Sequence, residues 1–248
     1  MPYQFTVSPD FTPDHLSGWY IFNTWLQKQT DNAIHLEMYS DFHEQKEAIQ
    51  NDNVDLIYAN PFDAAVLVRE KGFKPLVKSL GISDEAIVVV NAENNVEDVA
   101  HLEPGTRVAV TDDPDVHMMG MIMLEPGDLD ATNVEMVASD TYVLVAKHLL
   151  KNEADVGIFL AEAFDGLSNM IRKQLRVLVR SQISVIHHSL MIGPKLMDQR
   201  ESILKSLVEM HNDDRGRSVL ESLGFEQWQV VDDEEMEFMI DLMDTLTM

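Results

Sequence analysis

Cysteine is absent from this chain. That excludes disulfides, zinc–thiolate sites and lipid-bearing cysteines, and it leaves the redox compartment unreadable. Positive charge is scarce as well. There are 18 Lys and Arg against 43 Asp and Glu, for a formal charge of -25. A field of that sign repels nucleic acid and anionic membrane alike, so neither is expected as a partner. No apolar run approaches the ~20 residues of a membrane span. Met1-Pro2-Tyr3-Gln4-Phe5 enters a strand-like pattern directly, with no basic and apolar leader before it. As written the chain reads as cytoplasmic; it reads as periplasmic if a signal peptide has been removed. Short-period repeats and low-complexity segments are also missing.

What remains is a chain with 45% hydrophobic residues, enough for one large domain or two lobes of roughly 100 residues each. Tyr3, Phe5 and Val7 alternate with polar residues, which predicts a strand. Thr12 and Pro13 suit the N-cap and first position of a helix carrying Leu16, Trp19, Phe22 and Leu26 at helical spacing. Ile34–Met38 and Val54–Tyr58 read as strands, with helices near 41–51 and 62–71. Strands separated by helices of this length imply βαβ units and a parallel sheet. Further strands are expected at 86–90, 107–110, 134–138, 155–159 and 175–179. Helices are expected at 116–124 and 141–152, and three more near 198–210, 215–223 and 233–246.

The apolar runs at 85–91 and 179–188 read as two crossovers. They predict an α/β, two-lobed fold with two hinge crossovers: residues 1–87 plus 187–248 in one lobe, 88–186 in the other. In open α/β sheets, ligands bind beyond the carboxyl ends of the strands, where loops and helix N-termini point outward. The loops placed there carry Ser8 and Asp10, Ser40 and Phe42, Tyr58 and Asn60, His117 with Met118 and Met119, Ser139 and Asp140, and Phe159. A small molecule held between the lobes is the expected partner. Several of these residues have a plainer reading. Asn60-Pro61 is a good cap and first turn, and Asp112-Asp113 is a good turn before a proline. The run HMMGMIM offers thioethers and an imidazole of the kind soft metals accept. It equally suits a helix that packs methionines into its own lobe or against an apolar ligand, and no metal or cofactor is assigned. His187-His188 sits on the second crossover, where strand alternation turns one of the pair inward; His187 is taken as the candidate.

The order of segments resembles the phosphonate/phosphite/phosphate-type substrate-binding proteins of ABC transporters. FTVSPDFTPD, YSDFHEQKEAIQNDNVDLIYANPFDAAVLVREKGFKPLV, SDEAIVVVNAENNVEDVAHLEPGTRVAV, SDTYVLVAKHLLKNEADVGIF and RVLVRSQISVIHHSLMIGPKL carry the resemblance over about residues 3–195. It implies a type II periplasmic-binding-protein fold and a transporter permease or a sensor protein as partner. The family's oxyanion loop resembles Asp-Pro-x-Ser-Thr-Ser-Gly. Counted back from Gly120, its three hydroxyl positions fall on His117, Met118 and Met119. Its tyrosine after YSD falls on Phe42, its tyrosine before the crossover near Ser83 or Asp84, and its histidine before the second-lobe helix on Asp140. The resemblance thus implies a kept scaffold with an altered ligand. The expected function is a non-catalytic solute-binding protein with a carrier or sensor role. The alternatives are an enzyme on the same fold, as in menaquinone synthesis, or a module with a vestigial cleft. No nucleophile–base spacing, Gly-rich phosphate loop or metalloenzyme spacing supports catalysis.

Overall fold

The computed structural model describes residues 2–10 and 15–247. In chain order it opens with β1 (Tyr3–Val7), α1 (Leu16–Thr30), β2 (Ile34–Glu37), α2 (Phe42–Gln50), β3 (Leu56–Ala59), α3 (Pro61–Lys71) and β4 (Lys74–Ser79). Next come β5 (Ala86–Asn91), β6 (Arg107–Val110), α4 (Pro114–Leu124), β7 (Glu135–Ala138), α5 (Tyr142–Leu150), β8 (Val156–Leu160), α6 (Ala161–Asp165), α7 (Asn169–Arg172) and β9 (Leu175–Arg180). The chain closes with β10 (Ser189–Ile192), α8 (Arg200–Glu209), α9 (Asp214–Ser222), β11 (Trp228–Val230) and α10 (Asp233–Thr247). Two compact units result. One is Met1–Ser83 with His187–Thr245; the other is built on Asp84–Ile186.

The first unit holds a six-stranded sheet in the order β11-β4-β10-β3-β1-β2. Its β1, β2 and β3 are parallel, as the βαβ spacing requires. It is not wholly parallel, however. β10 enters antiparallel between β3 and β4, and β11 pairs antiparallel with β4. Neither β4 nor β11 is visible in the periodicity: β4 carries Pro75 between two lysines, and β11 is only three residues long. Phe5, Val7, Leu56, Tyr58, Leu190 and Ile192 turn one face of this sheet toward α1, α8 and α9. Trp19, Phe22 and Leu26 of α1 fill that layer, with Phe22 lying edge to face on Trp19. Each such fully buried side chain contributes roughly 1.5–3 kcal/mol. Leu16, placed on the same stripe by spacing, is 40% exposed, because α1 rotates it toward solvent. The Thr12 and Pro13 cap lies outside the described residues.

The second unit holds a five-stranded sheet in the order β7-β6-β8-β5-β9. Here too the centre is mixed: β6 pairs parallel with β7 and β8, whereas β5 runs antiparallel to β8 and β9. The run at 86–90 is therefore a fully buried sheet strand. The chain leaves the first unit just before it, between Ser83 and Asp84, and returns between Ile186 and His187. The segment before β5 and the segment after β9 are bonded to each other. Asp84 N–H donates to Ile186 C=O at 2.8 Å, and the Glu85 carboxylate accepts from the amides of Ile183 and Ser184 at 3.1 and 2.7 Å. Ser184 sits in the left-handed region, φ 58°.

Caps fix where the helices start. Asp41, Asn60, Asp113, Thr141 and Asp213 each accept a first-turn amide through the side chain, satisfying donors that have no partner within the helix. Pro61 and Pro114 occupy first helical positions, where a missing N–H costs nothing. The helix expected at 116–124 therefore opens earlier, at Pro114.

The packing of α1 on α9 depends on Gly18. A Cβ there would lie 2.1 Å from the Ser222 carbonyl oxygen, which is backbone and cannot swing away. Gly18→Ala should therefore cost about 1–3 kcal/mol by overpacking, read as a lower urea midpoint with an unchanged slope. An unaltered midpoint would show that the two helices part freely.

Candidate functional site

In the first unit the carboxyl ends of β1 and β3 meet the start of β10. Ser8 follows β1. It is fully buried, and its amide donates to Tyr58 C=O at 2.8 Å. Asn60 follows β3 and uses both ends of its amide. Its oxygen caps α3 through Asp63 N–H at 2.8 Å, and its NH2 donates to Ser8 Oγ at 3.2 Å and Asp63 Oδ2 at 3.0 Å. Asp10 lies 2.8 Å from His188 Nε2, and both side chains are about nine-tenths buried. His188 in turn stacks on Tyr58, with ring centres 5.4 Å apart. Three strand ends therefore bring two carboxylates, an amide, a hydroxyl, a phenol and an imidazole together.

Electrostatics separates the two carboxylates. Burial alone would raise Asp10, but the His188 charge and hydrogen bond, with Ser8 behind them, hold it below its ordinary value. For Asp63 the charges of Lys46 and His188 act only weakly. Burial, opposed by the Asn60 hydrogen bond and reinforced by the Asp10 charge, pushes it up to about 6. Two neighbouring carboxyls in unlike environments thus titrate in opposite directions.

His187 points the other way from His188, as strand alternation dictates. It is buried, with Nδ1 3.1 Å from Ser189 Oγ and Nε2 3.7 Å from Glu235, which pairs with Lys78. The candidate named from the sequence is thus the inward histidine, and His188 is the one that meets Asp10 and Tyr58. The doublet was the available signal; the register of β10, which starts at Ser189, decides between its members.

In the second unit the end of β6 leads into α4. Asp113 accepts from Val116 N–H at 3.2 Å and from the Tyr142 hydroxyl at 2.7 Å. Asp115, in the first turn, is buried. His117 is half-buried, and burial lowers its imidazole below the ordinary value. Met118 and Met119 come after that first turn and are buried, Met119 almost completely. Gly120 sits where a Cβ would fall 2.4 Å from the Ile158 side chain, so α4 lies close on β8. This placement fits the methionines as packing of α4, the plainer of the readings open to that run.

The other expected residues divide clearly. Ser40 is exposed and donates to Glu44 Oε2 at 2.8 Å while Asp41 caps the same turn, so it braces the start of α2. Phe42, half-buried, is the first residue of α2, and Ser83, half-buried, precedes the passage of the chain at Asp84. Ser139 is buried, its amide donating to Val110 C=O at 3.0 Å, and Asp140 is exposed. Phe159 is a correction. It stacks on Tyr142 and meets Phe164 edge-on inside the second unit's core, because alternation in β8 turns it inward. Asp113, Asp115, Tyr142 and Glu235 were not singled out as ligand residues. A capping aspartate is indistinguishable from a turn former in sequence, and a helix-borne tyrosine carries no signal of its partner.

Over residues 5–236 the sequence matches the family described as ABC transporter, phosphonate, periplasmic substrate-binding protein. No curated protein matches it significantly. Among solved structures, the chain is similar to PhnD1 from Prochlorococcus marinus in complex with methylphosphonate, at TM-score 0.82 and 11% identity over 99% of this chain and 98% of that one. It is also similar to the binding protein component of an ABC phosphonate transporter from Pseudomonas aeruginosa, at TM-score 0.81 and 16% identity over 99% and 87%. The periplasmic aliphatic sulphonate binding protein from Escherichia coli is more distant, at TM-score 0.66 and 11% identity over 99% and 91%. Identities this low show the fold, which is the type II periplasmic-binding-protein fold. The matched family is periplasmic, and no helix among the described residues is long and apolar enough to cross a membrane; neither finding supports the cytoplasmic reading.

The raised Asp63 has a thermodynamic consequence. Its folded value, about 6, lies above the unfolded 3.8. The native state therefore holds the extra proton between these values, and this group's contribution is full below pH 3.8 and lost as pH rises through about 6. Asp63→Asn should remove that slope and stabilise the protein at pH 8 by up to ~3 kcal/mol, with little gain near pH 4. Urea unfolding of both proteins at the two pH values checks this; an equal gap at both would assign the change to packing.

Proposed function

Because the chain belongs to the phosphonate-type family of periplasmic substrate-binding proteins of ABC transporters, we propose that it binds a small solute without transforming it. We propose further that the solute is a less negatively charged, more apolar molecule than a phosphonate. The family's members are transporter components, so a permease is the partner that fits, and a sensor role uses the same binding step. The observation that carries the reading is the start of α4. A helix N-terminus favours an anion because its first amides lack partners. Here that end already carries Asp113, bonded to the Val116 amide, and the buried Asp115. The positions that the resemblance assigns to oxyanion-binding hydroxyls are His117, Met118 and Met119. Asp113 matches the aspartate that opens the family's loop, so the difference lies in the buried Asp115 and the replaced hydroxyls: a phosphonate would meet a carboxylate and thioethers where that loop offers donors. In the first unit, Asp10, Asn60, Asp63 and His188 are the candidate polar contacts.

Catalysis has one arrangement to recommend it. Ser189, His187 and Glu235 follow each other in the order nucleophile, base, acid. Yet Ser189 is fully buried within β10, so its hydroxyl is closed to a substrate, and the set supports packing of the first unit.

Titration calorimetry with inorganic phosphate and with methylphosphonate is the test. Each lost charged hydrogen bond is worth about 1.5–3 kcal/mol, so no saturable heat is expected up to about 1 mM ligand. Micromolar binding of either anion overturns the proposed ligand class. Native mass spectrometry of the protein as purified checks the binding role itself: a retained solute of unaltered mass is expected, and its conversion would assign an enzyme.

A further inference from the structure

On the first unit, no described residue covers the outer face of α1 at Tyr20 and Ile21. Tyr20 and Ile21 are 52% and 47% exposed, and Leu16 adds to the patch. Between α1 and α9 a groove of about 270 Å³ is lined by Tyr20, Ile21, Trp25 and Val219, with Lys28 contributed by α1 and Arg215 by α9. The two cations are unusual in a chain with 43 acids and 18 bases. Most of the bases are bound: Arg217, two residues after Arg215, is paired with Asp214, and Arg69, Lys74 and Lys78 are all held by α10. Among the described residues, no carboxylate pairs with Lys28 or Arg215.

The same unit carries a surface of the opposite kind. α10 buries Met236, Met239, Ile240 and Met243, and Arg69 of α3 holds it through Asp244 at 2.6 Å. Its other face presents Phe238, 59% exposed, with Glu234 and Glu237 exposed beside it, while Asp241 pairs with Arg69 at 3.7 Å. An aromatic side chain accompanied by acids is complementary to an apolar groove that carries cations. No residue of α10 lines the groove.

We propose that the groove between α1 and α9 receives α10 of a second copy of this chain, with Phe238 seated among Tyr20, Ile21 and Trp25, and its acids facing Lys28 and Arg215. Burial of the aromatic ring supplies the apolar gain, and the two cations orient it. Each copy carries both surfaces, so the contact joins unlike faces, and every added copy offers the next groove. A formal charge of -25 per copy opposes association at low salt. Moderate salt screens that long-range repulsion while leaving the apolar contact intact, so association should be strongest there.

Sedimentation velocity on the full chain is the test, from roughly 10 μM to roughly 1 mM protein, the range in which small interfaces associate. The weight-average mass should rise with concentration above the monomer's 28.2 kDa. Phe238→Asp and Arg215→Glu should each weaken association by roughly tenfold or more. Both sites are exposed, so melting temperatures should not move, which separates loss of contact from loss of fold. Mixing Arg215→Glu protein with a Glu234→Lys, Glu237→Lys variant should restore association through the exchanged charges. A wild-type chain that stays monomeric throughout overturns the proposal, as does association indifferent to both Phe238→Asp and Arg215→Glu. Partial restoration in the charge exchange confirms the pairing of these two faces.

Discussion

The first sheet closes only when β10 arrives. Ser189–Ile192 inserts antiparallel between β3 and β4, pairing with residues 56–59 on one side and with residues 74–77 on the other. Until then β3 and β4 have no common neighbour, and the amides and carbonyls between them have no partners. Buried backbone groups must be paired, so the whole first unit waits on a segment made more than a hundred residues later. The polar ends of the strands depend on it too. His188 precedes β10 directly, and only the register of that strand sets it against Asp10 and Tyr58.

The acidity of the chain looks different from inside the fold than from its composition. Most carboxylates are solvated, but Asp55, Asp84, Asp113 and Asp115 are buried, as is the side chain of Asp10, and Asp63 is partly so. Several are handled by their own chemistry, Asp55 by Lys195 at 2.8 Å. Asp10 is neutralised by an imidazole, and Asp113 is spent on an amide and a phenol. Asp63 holds a proton to unusually high pH. Removing one partner from a buried ion pair such as Asp10–His188 leaves an uncompensated charge, at a cost of about 3–5 kcal/mol. The negative field over the molecule is therefore a surface property; the interior carries far less of it.

How much of this was legible beforehand follows from what periodicity can carry. Long amphipathic helices announce themselves, as at 200–209, 214–222 and 233–247, where the expected spans differ from the observed by a residue or two. Strands β1, β2 and β3 show alternation or apolar runs, and Asn60-Pro61 marks the start of α3. Strands β4 and β11 left no trace, since a proline between lysines and a three-residue strand both read as loop. The run at 86–90 reads as a strand and also as part of a crossover at 85–91, because an apolar run states burial and not what buries it; it is the strand, and the chain crosses just before it. The site was harder still. Phe159 lies near a strand end in sequence and Met119 follows the first turn of α4, yet side-chain direction puts both inside. Direction depends on register, and for His187 and His188 a shift of one residue exchanges their roles.

The two ends of the segment Asp84–Ile186, on which the second unit is built, lie side by side. Asp84 and Ile186, the ends of the second unit, share a backbone hydrogen bond of 2.8 Å. In terms of connectivity, the second unit is a guest whose two ends enter through one door. Its length and its surface can change without opening the host's sheet, provided that the ends stay together and β10 still follows.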